Sequence, residues 1–238
     1  MHTVYQSILE AAHKQIAVLV DPDKHTEESL QKLCNYINQS KVDFILVGGS
    51  LLLKSNFDFT IEYLKQNSKL PVVIFPGSNF QVSDKADAIL FLSLVSGRNP
   101  EYLIGQHVTA APLIKASNLE VIPTAYLLID GGRISSTAYI TQTVPIPNDK
   151  PDIAVATALA AEMLGMKLIY LEAGSGAEST VSSELIKAVK AAVKIPVIVG
   201  GGIRSAGRAK EIFDAGADII VIGNALESNA DLLYSFSK

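Results

Sequence analysis

The chain has 238 residues, 48% of them apolar, which is enough to bury the core of one large α/β domain or two small ones. Its formal net charge is −4 and no run of lysines and arginines concentrates positive charge, which argues against a nucleic-acid-binding surface. We expect one domain, residues 1–238, in which any anionic ligand is bound by local groups.

The N-terminal segment and the single cysteine bear on the cellular compartment. Residues 1–14, MHTVYQSILEAAHK, lack the apolar core of a signal peptide, and no apolar run reaches the roughly 20 residues of a spanning helix. Cys34 has no partner for an internal disulfide and falls in a helical pattern, which favours a packed thiol over a nucleophile. We therefore expect a cytoplasmic protein, and a peripheral contact with a membrane stays open.

Continuous runs of Val, Ile and Leu recur along the chain, and most of the stretches between them have helical periodicity. Continuous apolar runs are typical of parallel strands that are buried on both faces. Eight such runs in a chain of this length favour a (β/α)8 TIM-type barrel, regular or modified, over an open doubly wound sheet. The predicted strands are residues 16–20, 44–47, 72–75, 88–92, 121–129, 168–171, 197–199 and 219–222.

One long irregular segment, residues 130–150, follows the fifth predicted strand and is rich in Gly, Ser, Thr and Pro. In a barrel it would overhang the carboxyl-terminal face, where the active sites of this fold lie. Irregular segments of this length are usually functional lids or mobile insertions. The sequence favours neither of the two.

Glycine-rich turns follow the seventh and eighth predicted strands, at Gly200-Gly201-Gly202 and at Gly223-Asn224. In this fold the loops after those strands commonly direct backbone N–H groups at a phosphate, and glycine lets the backbone approach without a Cβ atom. We therefore predict a phosphate site there, in preference to a plain tight turn. Arg204 either adds charge to that phosphate or is a solvated residue at a helix start.

Oxygen ligands follow the first two predicted strands. Asp21 and Asp23 flank a proline, and Ser50 ends the next strand. Carboxylates of this kind suit Mg²⁺, which typically joins one or two of them to substrate phosphate oxygens. The alternative is an Asp-Pro turn that leads into a helix. The four histidines are scattered without the spacing of zinc ligands, so we expect no zinc site.

Glu172 ends an apolar strand and is followed by a loop with almost no side chains, Ala173-Gly174-Ser175-Gly176. A carboxylate within reach of a bound phospho-substrate is well placed as a general base or as an acceptor for a hydroxyl. Tyr170, two residues earlier, points to the same side of the strand and can hydrogen-bond the same small molecule. The alternative role for Glu172 is to cap the barrel rim.

With these residues the chain resembles the geranylgeranylglyceryl phosphate synthase family, whose relatives include bacterial heptaprenylglyceryl phosphate synthases. The resemblance spans essentially the whole chain. The segments that carry it are VDPDK at 20–24, VGGS at 47–50, IPTAY at 122–126, YLEAGSG at 170–176, VGGGIR at 199–204 and GN at 223–224.

The resemblance implies a modified TIM barrel that transfers a prenyl group from a diphosphate to the 3-hydroxyl of sn-glycerol 1-phosphate, which forms the first ether bond of ether phospholipids. Asp21 and Ser50 match the family's Mg²⁺ positions, whereas Asp23 matches the motif but has no assigned ligand role. Glu172, assisted by Tyr170, would hold and deprotonate the attacking hydroxyl. The glycerol phosphate would lie on Tyr170, Leu171, Glu172, Ala173, Gly174, Ser175, Gly176, Gly201, Gly202, Gly223 and Asn224.

Two features favour the geranylgeranyl branch of the family. The chain has Ala173-Gly174-Ser175-Gly176 where the heptaprenyl relatives have a more compact Tyr-Ser-Gly version, and it has Leu19 where they place a lysine that contacts glycerol phosphate. We also expect a homo-oligomer, a dimer or a hexamer. Candidates for the apolar groove that holds the polyprenyl tail, each equally compatible with a core or interface role, are Leu92, Leu94, Val95, Tyr126, Tyr139 and Ile140.

Two other functions are compatible with the same loops. A barrel isomerase or lyase that acts on a phosphosugar would use Asp21 and Glu172 as its acid–base pair. A non-catalytic barrel that carries a flavin phosphate would use the two glycine loops alone.

Overall fold

The computed structural model describes residues 3–54, 56–223, 226, 233 and 236, and its centre is a closed barrel of eight parallel strands in chain order. Each strand pairs with its neighbours in sequence, and β1 closes the barrel against β8. The predicted TIM-type barrel is therefore confirmed. The strands are β1 (Gln15–Val20), β2 (Phe44–Val47), β3 (Val72–Ile74), β4 (Ala88–Ser93), β5 (Glu120–Leu128), β6 (Leu168–Glu172), β7 (Val197–Gly200) and β8 (Ile219–Ile222).

The described α-helices lie around the barrel or across its ends, and several begin where a Ser or Thr side chain accepts a backbone N–H of the first turn. Such caps fix where each strand-to-helix loop ends. The helices are α1 (Val4–Glu10), α2 (Glu27–Asn38), α3 (Phe57–Asn67), α4 (Gln106–Ala116), α5 (Ser136–Thr141), α6 (Pro151–Met163), α7 (Ser183–Ala192) and α8 (Ala206–Asp214).

Cys34 is buried in α2, and burial raises the pKa of its thiol. The prediction of a packed thiol is confirmed. None of the helices in the described ranges is long and apolar enough to cross a bilayer.

Side chains alternate between the two faces of each strand and so build two layers of core. Leu90 and Tyr170 belong to the cluster that fills the barrel interior, together with Val4 of α1, which closes the amino-terminal end. Their neighbours Ile89 and Leu171 belong to the cluster between the strands and the surrounding helices. The barrel interior is therefore packed, and space for a ligand is left only at its ends or outside its wall.

One connection departs from the regular barrel. Residues 75–87, between β3 and β4, form turns without a helix, whereas every other pair of consecutive strands is joined through at least one α-helix. The run Pro76-Gly77-Ser78-Asn79 explains the difference, because these residues favour turns over helices. The segment is held by Gln81, whose side chain donates to the Gly49 carbonyl oxygen at 2.8 Å and accepts from the Gly77 N–H at 3.1 Å.

Residues 130–150 cross the carboxyl-terminal face of the barrel and are held near β5 by two backbone hydrogen bonds. The Asp130 N–H donates to the Ile146 carbonyl oxygen at 2.8 Å, and the Ile146 N–H donates to the Leu128 carbonyl oxygen at 2.9 Å. Between these bonds lies the short helix α5, whose Thr137 hydroxyl is 3.1 Å from the Ser50 hydroxyl. The segment therefore forms a cover fixed to the barrel rim.

The packing of the helix-free segment is tested by Gly77→Ala. A Cβ atom on Gly77 would collide with the Gly49 carbonyl oxygen and lie 2.8 Å from the Ser50 Cα atom, so the two loops would have to separate. We expect the free energy of unfolding in urea to fall by about 2 kcal/mol.

Gly207→Ala is the matched control, because a Cβ atom there meets no atom within 4 Å. This substitution should raise the free energy of unfolding by about 0.5 kcal/mol, since alanine restricts the unfolded chain. Equal stability of the two variants would contradict the described contact between the loops.

Candidate active site

A polar pocket opens at the carboxyl-terminal end of the barrel, where the loops after β1, β2, β6, β7 and β8 converge. It brings together most of the residues that the sequence singled out from separate loops. The predicted site residues that line it are Asp21, Ser50, Tyr170, Glu172, Ser175, Gly176, Gly201, Gly202 and Gly223. Asn224 lies outside the described residues.

Three residues of the run 170–176 do not line the pocket, and contact of the whole run with the substrate stays a prediction. Leu171 and Ala173 belong to the cluster between the barrel and its helices, because alternate side chains of β6 face outwards. Gly174 supports the site indirectly, since its N–H donates to Glu172 Oε1 at 2.7 Å.

Glu172 is buried at the end of β6, in register with Gly200 of β7. A Cβ atom on Gly200 would lie 2.5 Å from both Glu172 Oε2 and the Tyr170 hydroxyl oxygen. Gly201 has φ +86°, and a Cβ atom on it would lie 2.7 Å from Glu172 Oε1. The glycines that the sequence assigned to phosphate binding therefore also make room for the carboxylate.

Burial raises the pKa of Glu172 to about 7, although the Gly174 N–H and the Tyr170 hydroxyl each lower it. A carboxyl group with this pKa can take up a proton from a reacting hydroxyl near neutral pH. Burial, and then the charge of Glu172, raises the pKa values of Tyr126 and Tyr170 well above the ordinary value for tyrosine. Both phenols therefore stay protonated and can donate hydrogen bonds.

The rings of Tyr170, Phe75 and Tyr126 form one cluster, in which Tyr170 stacks on Phe75 at 5.1 Å and on Tyr126 at 5.5 Å, and the centroids of Phe75 and Tyr126 are 6.1 Å apart. Its hydroxyl is fully buried and has no hydrogen-bond partner of good geometry in the described part of the chain. A buried polar group left unpaired costs about 1–3 kcal/mol. Tyr170 lines the polar pocket beside Glu172, so a group that binds there can pair with this hydroxyl.

Asp21 and Ser50 flank Gly49 at the opposite side of the pocket. Asp21 Oδ1 accepts the Asp23 N–H at 3.1 Å, and a Cβ atom on Gly49 would lie 3.4 Å from the same oxygen. The described residues contain no cluster of three or more metal-binding side chains. A cation here would therefore take most of its ligands from substrate oxygens and water.

Asp23 has a structural contact instead of a place in the pocket. Its carboxylate accepts the backbone N–H of Leu53 at 2.6 Å and that of Lys54 at 3.1 Å. These bonds fix the loop after β2 that carries Ser50. The absence of an assigned ligand role for Asp23 agrees with this arrangement.

Two cationic side chains reach the pocket, Lys24 and Arg204. Arg204 Nη2 donates to the Ala177 carbonyl oxygen at 2.7 Å, so the guanidinium is held at the rim beside the glycine loops. Lys24 Nζ lies 3.8 Å from Asp21 Oδ2. Sequence reasoning left Lys24 without a role, although its position directly after two aspartates at a strand end was a usable signal.

A second, largely apolar pocket lies outside the barrel wall, between β4, α4 and the helix-free segment 75–87. It occupies the space that a helix after β3 would otherwise fill. Its inner wall includes Ile89 and Phe91, and its outer wall includes Val82, Ala110 and Ile114. Four of the six residues predicted for the prenyl groove line this pocket: Leu92, Leu94, Tyr126 and Ile140. The other two, Val95 and Tyr139, do not line it, and the side chain of Tyr139 is 80% exposed.

The two pockets share one wall, which is made by Gly49, Ser50, Phe75, Tyr126 and Thr137. A molecule in the polar pocket and another in the apolar pocket would therefore meet at this wall. Thr137 was missed by sequence reasoning, because no pattern within residues 130–150 indicates which of their side chains faces the barrel.

Comparison with known proteins gives the same family. The chain matches the PcrB family over residues 8–237. The protein named geranylgeranylglyceryl phosphate synthase from Flavobacterium johnsoniae is 51% identical over 236 residues, which cover 98% of this chain and 97% of that protein. The protein of the same name from Spirosoma linguale is 48% identical over 231 residues, 97% of this chain and 93% of that protein.

A solved structure agrees with these matches. The crystal structure of (S)-3-O-geranylgeranylglyceryl phosphate synthase from Thermoplasma acidophilum in complex with sn-glycerol-1-phosphate aligns with a TM-score of 0.94 and 37% identity, over 100% of this chain and 96% of that one. The resemblance inferred from the sequence motifs is confirmed, and this chain belongs to the PcrB family.

Proposed function

We propose that this protein transfers a geranylgeranyl group from geranylgeranyl diphosphate to the 3-hydroxyl of sn-glycerol 1-phosphate. The observation that carries the proposal is the wall shared by the polar and the apolar pocket. A glycerol phosphate needs the first pocket and a polyprenyl chain needs the second, so the bond between them forms where the pockets meet. The relatives described above bear the name of this activity.

The acceptor would be held by its phosphate at the glycine loops after β7 and β8. Gly201, Gly202 and Gly223 line that part of the pocket, and Lys24 and Arg204 supply positive charge beside it. The bound sn-glycerol-1-phosphate of the Thermoplasma acidophilum structure supports an acceptor of this class.

The glycerol backbone would then place its 3-hydroxyl between Tyr170 and Glu172. The Tyr170 hydroxyl can donate to the attacking oxygen, and Glu172 Oε2 can accept its proton. As the carbon–oxygen bond of the donor breaks, its electron pair leaves with the diphosphate. The glycerol oxygen bonds to the same carbon, and its proton passes to Glu172.

We propose Mg²⁺ as the cofactor, held by the Asp21 carboxylate and the Ser50 hydroxyl. These two residues suit Mg²⁺ because both offer oxygen donors next to Gly49. The lack of a side chain at Gly49 keeps the space beside Asp21 open, since a Cβ atom there would lie 3.4 Å from Asp21 Oδ1. Diphosphate oxygens and water would complete the coordination, as Mg²⁺ prefers. Bound there, the ion would stabilise the charge that develops on the leaving diphosphate.

The other two hypotheses explain fewer of the observations. A phosphosugar isomerase would use the glycine loops but has no group for the apolar pocket, and a flavin-phosphate carrier would leave the buried Glu172 without a role. A homo-oligomeric state, dimer or hexamer, and a cytoplasmic location stay predictions.

The direct test of the reaction is an assay for organic-soluble product with sn-glycerol 1-phosphate, geranylgeranyl diphosphate and Mg²⁺, in the unmodified protein and in Glu172→Gln. The substitution should lower kcat by about 10²–10⁴-fold, because glutamine cannot accept the proton. Calorimetric binding of glycerol phosphate should be retained. In the unmodified protein kcat/KM should rise with pH through about 7, as Glu172 becomes ionised.

Glu178→Gln is the matched control, since Glu178 is exposed on the same loop. It should leave both kcat and the pH profile unchanged. Full turnover in Glu172→Gln would remove this carboxylate from the mechanism, and the absence of product from the unmodified protein would refute the proposed reaction.

The metal proposal is tested by Asp21→Asn. Loss of the carboxylate charge should raise the Mg²⁺ concentration needed for half-maximal activity on the order of tenfold or more. Asp84→Asn, at an exposed aspartate outside the pocket, should leave the Mg²⁺ titration where it was. If the two titrations coincide, Asp21 is not a metal ligand.

A further inference from the structure

Five exposed apolar side chains, which we call the apolar rim, lie close in sequence to residues that line the apolar pocket: Leu51, Leu53, Phe80, Ile104 and Tyr139. Their exposed fractions are 61%, 81%, 87%, 59% and 80% in that order. Each lies within three residues of one that lines the pocket, as Phe80 follows Asn79 and Tyr139 precedes Ile140. The rim therefore continues the apolar lining outwards onto the surface.

The backbone under the rim is held by polar contacts. The Leu53 N–H donates to Asp23 Oδ2 at 2.6 Å, and the Asn79 N–H donates to Gln106 Oε1 at 3.1 Å. The structure thus presents Leu53 and Phe80 on anchored loops, whereas Tyr139 lies on α5. Contiguous apolar surface around a pocket mouth is typical of a site that meets a membrane or another protein.

We propose that the apolar rim docks on the surface of a lipid bilayer, so that the polyprenyl donor enters the apolar pocket, and the lipid product leaves it, without crossing water. The choice of a bilayer rests on the proposed function, because the tail of such a donor partitions into membranes and the cost of its exposure to water grows with each methylene. A pocket mouth in contact with the bilayer removes that cost.

The charge of the protein determines how it would bind. The net charge is −4, the Lys54 ammonium beside Leu53 donates to the Asp23 carbonyl oxygen at 2.6 Å, and Lys85 of segment 75–87 is paired with Glu62. Attraction to anionic lipid is therefore not the driving force. Docking proceeds by insertion of apolar side chains, so it requires no anionic lipid and is insensitive to salt.

The absence of tryptophan from the chain allows a direct test, because a single introduced indole reports on one place. Phe80→Trp and Leu53→Trp place the indole on the rim. Leu164→Trp is the matched control, since Leu164 is 76% exposed and follows α6 at the opposite, amino-terminal end of the barrel. Energy transfer from tryptophan to a dansyl lipid is measured in phosphatidylcholine vesicles at low and at high salt.

We expect vesicle-dependent energy transfer and a blue-shifted emission from both rim tryptophans at either salt concentration, and neither change from Leu164→Trp. The double variant Leu53→Ser and Phe80→Ser should lower vesicle binding about tenfold or more. It should retain the kcat/KM of the unmodified protein with soluble geranyl diphosphate, because neither residue lines a pocket.

Three results would overturn the proposal: no energy transfer from the rim tryptophans, equal transfer from all three positions, or a blue shift that depends on protein concentration and not on vesicles. The last result would assign the rim to an interface between copies of this chain. Vesicle binding is read without turnover, so failure of docking is distinguishable from failure of the proposed reaction.

Discussion

The burial of one carboxylate constrains the rest of the site. Glu172 ends a strand in the barrel wall, and the pairing of β6 with β7 sets it against Gly200. Any side chain at Gly200 or Gly201 would overlap the carboxylate oxygens of Glu172. The burial of Glu172 therefore requires glycine in the loop after β7, independently of any phosphate that the loop binds. The same burial raises the pKa of the carboxyl group to about 7. A single packing relation thus provides both the shape of the acceptor pocket and the basicity that the reaction needs.

The proposed reaction also requires space for a long apolar chain. The absence of a helix between β3 and β4 provides that space. The barrel interior is filled by side chains and cannot take a ligand. With no helix after β3, the outer face of β4 is left open to the side, and α4 with segment 75–87 forms the other wall of the apolar pocket. The cover formed by residues 130–150 then places Thr137 at the wall shared with the polar pocket. In the proposed reaction the acceptor would bind at the carboxyl-terminal end of the barrel, and the donor would bind in a gap in its outer layer.

Much of this arrangement could be predicted from the sequence, and the remainder depended on packing. Strand limits were predictable to within one residue, because buried parallel strands are continuous apolar runs with polar or glycine ends. The convergence of Asp21, Ser50 and Glu172 followed from their positions at strand ends. The outward-facing side chain of Leu171 was not evident from the motif, since a motif read as a block ignores the alternation of side chains along a strand. The pocket left by the missing helix after β3 was not predictable, because the composition of a turn does not show what space it leaves in the outer layer. The role of Thr137 was not predictable either, because the sequence of residues 130–150 does not show which side chain faces the barrel.

We propose that the glycine loops and Glu172 together recognise one acceptor, with the phosphate bound at one end and the 3-hydroxyl presented to the carboxylate at the other. The most direct measurement compares product formation from sn-glycerol 1-phosphate with that from its 3-phosphate enantiomer, using the same donor and Mg²⁺. The enantiomer can satisfy the phosphate loops, but its opposite configuration at C2 prevents its two hydroxyls from taking the same positions relative to Tyr170 and Glu172. We predict a preference for the 1-phosphate on the order of a hundredfold or more in kcat/KM. Equal rates from the two enantiomers would contradict the account.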